Sequence, residues 1–216
     1  MTLIYDNLIS AVVAMTVTLI LASVQLRATH HRMAARAQYV MTERVTGLSS
    51  WLQRDLERIG ENKTGGSVPI DTLIVPSNDS TAQWLTDRFV FERDSITPSG
   101  STVPVKIRYD IQNTGSRTVQ GETTDEYRFQ RKRKVGANAW ESAGGSAAPL
   151  GYFDVDLLNK NAEPVENPEI HLQTHPDTVR SVRVRFSVLP PFDSDQVSVG
   201  TSHTNAVIAR YPSADS

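Results

Sequence analysis

The chain has 216 residues, long for one average domain but within the span of a single β-rich unit. Basic and acidic residues nearly balance, 22 against 24, which argues against a nucleic-acid binder that works by neutralising many phosphates. With no cysteine, disulfide scaffolds, thiolate metal sites and cysteine nucleophiles are excluded.

These averages conceal a division along the chain. All 11 prolines lie at Pro69 or beyond, and Gly47 is the sole glycine before Gly60. Proline in a helix interior costs about 3 kcal/mol, so this depleted stretch permits one long helix. From Asn7 to Leu26 no side chain is charged. Twenty helical residues rise about 30 Å, the thickness of a bilayer core. In its core, Leu8–Ala22, the polar members are Ser and Thr, whose hydroxyls can bond back to the helix. A transmembrane helix over residues 8–26 is expected; a cleaved signal peptide and a buried core helix are the alternatives. A signal peptide normally starts with basic residues, whereas here Arg27, Arg32 and Arg36 follow the apolar stretch, with His30 and His31 beside them. The positive-inside rule alone would place the C-terminal side in the cytoplasm.

Past Leu26 a helical period appears. Met33, Ala37, Met41, Val45, Leu48, Leu52, Leu56 and Ile59 recur at steps of three or four, one face of an α-helix. Tyr39, Val40 and Trp51 widen the stripe. Gly60 is the expected C-terminal cap, and Arg58 sits in the last turn, where the dipole favours a cation. The pattern predicts one helix from about residue 3 to 59, roughly 85 Å long at 1.5 Å per residue. The alternative is two helices hinged near Arg27–His31.

After Gly65-Gly66 the period becomes two. Val105, Ile107, Tyr109 and Ile111 alternate with charged or polar residues, as do Tyr127 and Phe129, then Phe153, Val155 and Leu157, then Val182, Val184, Phe186 and Val188. Each reads as a half-buried antiparallel strand. Leu73–Val75, Phe89–Phe91 and Ala206–Ala209 are weaker candidates, and Gly136–Pro149 and Asn159–Pro168 read as loops. A one-sided sheet needs a cover, and the stripe of residues 33–59 is the partner to hand. The predicted fold is α+β: residues 1–26 a membrane-spanning half-helix, 27–60 an amphipathic half, 61–216 a β-rich domain.

Signatures of catalysis are missing. The sequence contains no G-x-S-x-G, H-E-x-x-H or phosphate-binding glycine loop, so no enzyme is expected. His171 and His175 are spaced like a metal pair, but Ile170–Pro176 reads as extended or loop and no third ligand is near; His203 stands alone. Asp154, Asp156, Asn159, Asn161 and Glu163 form an oxygen-rich run suited to calcium. They equally suit the exposed face of a strand and its turn, and the glycine of an EF-hand loop is missing. No other cofactor is expected. Arg128, Arg131, Lys132, Arg133 and Lys134 form the strongest basic run. It reads either as a surface for an anionic partner or as the charged protection common on solvent-facing strands.

The start Met1-Thr2-Leu3-Ile4-Tyr5 resembles the mature start of type IV pilin-like proteins, typically Phe-Thr-Leu-Ile-Glu. The run Trp51-Leu52-Gln53-Arg54-Asp55-Leu56-Glu57-Arg58-Ile59-Gly60 is similar to the helix end of the larger minor pilins and minor pseudopilins, the PilW-like and J-type group. Strands like Tyr152–Leu158, Val179–Val188 and Ala206–Tyr211 fit the group's later pattern. The resemblance implies a helix half in the membrane and half packed on an antiparallel sheet through Val45, Leu48, Leu52, Leu56 and Ile59. It implies a structural subunit of a type IV pilus or a type II secretion pseudopilus. Such a subunit crosses the inner membrane once, with the β domain in the periplasm or on the extracellular filament. The implied partners are other pilin-like subunits and the assembly machinery, with N-terminal methylation; nucleic acid is not expected. The family carries a short basic leader ending in Gly, and such a stretch before Met1 would account for the inverted charge flanks. The family's glutamate, which meets the N-terminal amine of a neighbouring subunit, falls at Tyr5, and the nearest carboxylate is Asp6, about 100° around the helix. Met1, Tyr5 and Asp6 are therefore the candidate assembly residues. The alternative for Asp6 is an ordinary acid in a first turn. The alternative function is a single-pass membrane-anchored β-domain binding module that does not polymerise.

Overall fold

A computed structural model describes residues 2–63, 69–75, 86–119, 121–146, 148–190 and 203–210. Helix α1 runs unbroken over Thr2–Leu56, 55 residues, with no hinge at Arg27–His31. Its hydroxyls reinforce it: Thr16, Thr18 and Thr29 donate to the carbonyls of Val12, Ala14 and Gln25. The helix ends three residues before Ile59. Arg58 and Ile59 tighten to the carbonyls three residues back, and Gly60 takes φ +73°. Its N–H then reaches the Glu92 carbonyl at 3.0 Å. A Cβ at Gly60 would lie 3.2 Å from Pro69 Cγ. An L-residue held left-handed costs about 1–2 kcal/mol, so Gly60→Ala is expected to lose that much stability in urea. An unchanged midpoint would show that the turn is not needed.

The strands are β1 (Ile70–Ile74), β2 (Arg88–Ile96), β3 (Thr102–Val119), β4 (Glu122–Val135), β5 (Glu141–Gly145), β6 (Leu150–Leu158), β7 (Ser181–Val188) and β8 (His203–Arg210). They form one antiparallel sheet in the order β1-β2-β3-β4-β6-β7-β8, with β5 beside the path on β4. All the strands expected from period two are present. Strand β3 continues past Ile111 for eight residues, and this polar extension zips onto the start of β4. No apolar alternation marks it, so the sequence pattern stops at the edge of the core. Between β4 and β6 the ladder narrows to one pair, Tyr127 with Leu150. Thr86 fastens β6 further along. Its N–H donates to the Phe153 carbonyl at 3.0 Å, and its hydroxyl accepts from the Val155 N–H at 2.9 Å.

Two segments depart from the expected loops. Pro168–Thr174 is a short helix, α2, with proline in its first turn. Glu141–Gly145 is strand β5, and Gly145 lies so close to β4 that a Cβ there would sit 2.4 Å from the Phe129 carbonyl oxygen.

The core lies between α1 and one face of the sheet. Leu52, Leu56 and Ile59 are buried against Phe89, Phe91, Tyr109, Phe129, Phe153 and Phe186, with Val45, Leu48 and Trp51 packed at the margin. Phe129 and Phe153 stack at 5.1 Å, and Tyr109 meets Phe129 edge-on at 4.9 Å. Ala37 and Met41 are buried higher up the same stripe, towards the N-terminus. Met33 and Tyr39, expected in the stripe, are exposed at 52% and 70%. Tyr39 lies about 200° from Ala37, on the opposite side of the helix. Met33 shares the face but precedes the first fully buried residue by one turn.

Candidate functional site: an apolar span and a buried clasp

The two halves of α1 meet different surroundings. From Tyr5 to Thr29 every residue is exposed, including Leu8, Ile9, Val12, Val13, Leu19 and Ile20. The helix is long and apolar enough to span a membrane, and its apolar window is 0% buried. Soluble monomers rarely expose an apolar surface of this length, which is consistent with a single-pass membrane anchor. Tyr5 and Asp6 stand exposed on the first turns, and Met1 lies outside the described residues.

The second half is held by a charged group within the core. Asp55 sits on the apolar stripe one turn after Trp51. Arg131, on β4, grips it with two parallel hydrogen bonds: Nε to Oδ2 at 2.8 Å and Nη2 to Oδ1 at 2.7 Å. The Tyr109 hydroxyl, from β3, donates to Oδ2 at 2.7 Å. The Arg131 guanidinium also lies 5.4 Å from the Trp51 ring centre, and its Nη1 donates to the Ala143 carbonyl of β5. The side chains of Arg131 and Asp55 are 13% and 10% exposed. Bidentate geometry and a third donor satisfy the carboxylate, as a buried charge requires. Strands β3 and β4 therefore converge on one carboxylate of α1, with β5 bracing Arg131, which fixes the rotation and height of the helix on the sheet.

Burial pushes the Tyr109 phenol well above its ordinary range, and the Asp55 charge and hydrogen bond push it further. The phenol stays protonated as a donor. Below about pH 10 both folded and unfolded chains keep it neutral. Above that the unfolded chain ionises first, so stability is lost as pH rises. The denaturation midpoint is expected to fall more steeply above pH 10 in the wild type than in Tyr109→Phe; equal slopes would contradict this.

The structure divides the basic run. Arg131 turns inward to Asp55, while Arg128, Lys132 and Lys134 lie on the opposite face of β4. Lys132 pairs with Asp110 at 3.0 Å, and Arg133 is exposed. Period two dictates this split, so the five do not form one surface. The oxygen-rich run is divided too. On β6, Asp154 faces Arg185 and Asp156 faces Arg183 across the β6–β7 ladder, and both carboxylates bond those guanidinium groups. Burial raises the Asp154 carboxyl, helped by the Asp156 charge and opposed by Arg185. Asn159 Oδ1 instead accepts the N–H groups of Asn161 and Glu163, closing the turn. His171 and His175 stand on and just after α2, rings 5.8 Å apart, with His171 bonded to Thr178. Among the described residues no three His, Asp or Glu gather as a metal shell.

Sequence reasoning missed the clasp, although a signal was present. Residues 48, 52, 55 and 59 share one helix face, which places Asp55 among leucines. Arg131 continues the inward series of Tyr127 and Phe129. A carboxylate and a guanidinium at two core-facing positions require each other. Comparison with family models, with curated proteins and with solved structures finds no match.

Proposed function

We propose that the chain is a structural subunit of a pilin-like filament, a minor pilin or pseudopilin, held in the inner membrane by residues 8–26 until it is assembled. The observation that carries this reading is one unbroken helix with an uncovered apolar half and a clasped half. A rigid rod of this kind can pass from lipid into a bundle of like helices without refolding. Its β domain stays outside, in the periplasm or on the filament. Charge placement supports assembly: Asp6 is the sole charged side chain before Arg27. A carboxylate in a dry helix bundle is costly unless it meets a cation, and the N-terminal amine of an adjacent subunit supplies one.

In cells of the source organism, the protein is expected in the filament fraction sheared from the surface, or crosslinked to other pilin-like subunits. Asp6→Ala is expected to leave membrane insertion intact and to reduce that incorporation several-fold, with Tyr5→Glu restoring part of it. Wild-type protein confined to the membrane as a monomer would favour the anchored, non-polymerising module. Removing residues 1–27 is expected to release a soluble, folded domain. Aggregation of that fragment beside a detergent-free soluble full chain would show that the segment is core.

A further inference from the structure

The sheet face turned away from α1 carries cations that the clasp does not use. Arg88 on β2, Arg108 on β3 and Lys132 on β4 converge on one carboxylate, Asp110. Arg88 Nε donates to Oδ1 at 3.0 Å, while Arg108 Nε and Lys132 Nζ each lie 3.0 Å from Oδ2. The Arg108 N–H is not aligned on that oxygen, so a buried donor lacks an acceptor. The Trp140 ring covers the Arg108 guanidinium at 4.6 Å and fixes its plane. The register sets Arg108 directly opposite Lys132, and Lys106 opposite Lys134. Like charges directly opposite destabilise an antiparallel pair; Glu92 and Asp71 offset Lys106, whereas Arg88, Arg108 and Lys132 share the single carboxylate of Asp110.

These groups border a cavity of about 380 Å³, together with Asp87 and Gln112. That size is at the lower end for small-molecule sites, about 300–1,000 Å³. Three cations against Asp110 leave two positive charges, and Asp87 at the border offsets one. Arg88 commits only Nε to Asp110, so its terminal amino groups remain as a donor fork. Such forks match the spacing of phosphate oxygens. Burial pushes the Asp110 carboxyl up, but hydrogen bonds from Lys132 and Arg88 hold it below its ordinary range. Asp110 is thus a permanent internal anion that orders the three cations in advance, which lowers the entropy cost of receiving a ligand.

We propose that this cavity binds a phosphoryl oxyanion, either free phosphate or the phosphate group of a small soluble ester. Bilayer lipid is the wrong source where α1 spans a membrane. Tyr109, next to Asp110, is bonded to Asp55, about 43 Å along the helix from Leu26 at 1.5 Å per residue. The two remaining sources, free phosphate and a soluble ester, share the same chemistry.

The test is calorimetric titration of the full chain in non-ionic detergent with inorganic phosphate and with glucose 6-phosphate, against sodium chloride of equal ionic strength. Saturable binding is expected, with a dissociation constant of about 1 mM or tighter. Tighter binding of glucose 6-phosphate assigns the ester, and tighter binding of phosphate assigns the free ion. Arg88→Ala and Lys132→Ala are each expected to weaken binding about tenfold. Arg88→Lys, which keeps the charge without the fork, is expected to lose less. The proposal is overturned if neither probe saturates, if sodium chloride reproduces the heat, or if Arg88→Lys and Lys132→Ala both bind like wild type.

Discussion

Replacing Asp55 with Ala is expected to destabilise the protein by about 3–5 kcal/mol, the usual cost of removing one partner of a buried ion pair. Arg131 would remain held between Trp51 and the Ala143 carbonyl with no counter-ion, and the buried Tyr109 hydroxyl would lose its acceptor. Against a typical total of about 5–15 kcal/mol, this is a large share of the stability. Arg131→Ala should cost a similar amount, because Asp55 would then be the unpaired charge. Asp55→Leu combined with Arg131→Met should cost less than the two single losses together, since no charge stays behind. Urea denaturation followed by tryptophan fluorescence measures all of these, Trp51 being in contact with the pair. A loss under about 1 kcal/mol for Asp55→Ala, the range of an exposed pair, would show that the clasp is solvated.

The long helix and the apolar strands were legible in the sequence because each rests on a local rule: absence of proline, a period near 3.6, a period of two. The polar end of β3, strand β5 and helix α2 were not. Their residues carry little apolar alternation, and β5 forms because Gly145 allows close approach to the Phe129 carbonyl. The basic run illustrates a different failure. Adjacent residues look like one patch in a line of text, but on a strand Arg131 and Lys132 point to opposite faces. Lys132 then joins Arg88 and Arg108, which lie far away in sequence and adjacent in register.

Leu52→Asp is expected to have an effect as large as loss of the clasp or larger. Leu52 is fully buried within the main core, one turn from Leu48 and from Leu56. Truncation to Ala there should cost about 2–5 kcal/mol through lost contacts and a cavity. An unpaired carboxylate adds desolvation with no donor to meet it, so Leu52→Asp should exceed about 4 kcal/mol. Tyr39→Asp, on the exposed side of the same helix, should stay within about 0.5 kcal/mol. Equal effects at the two positions would mean that the helix is not seated on the sheet by this face.

One rigid helix serves both as the uncovered apolar segment and as the cover of the sheet. The chain has no native cysteine, so a Val13→Cys, Ser50→Cys double variant takes two spin labels and no others. In lipid nanodiscs the distance between the labelled positions, measured by pulsed electron resonance, should form one narrow distribution. Its centre is expected at about 55 Å, the span of an unbroken α-helix between those positions at a rise of about 1.5 Å per residue. A broad distribution, or one centred well below that length, would place a hinge between the two halves and contradict a single rigid helix.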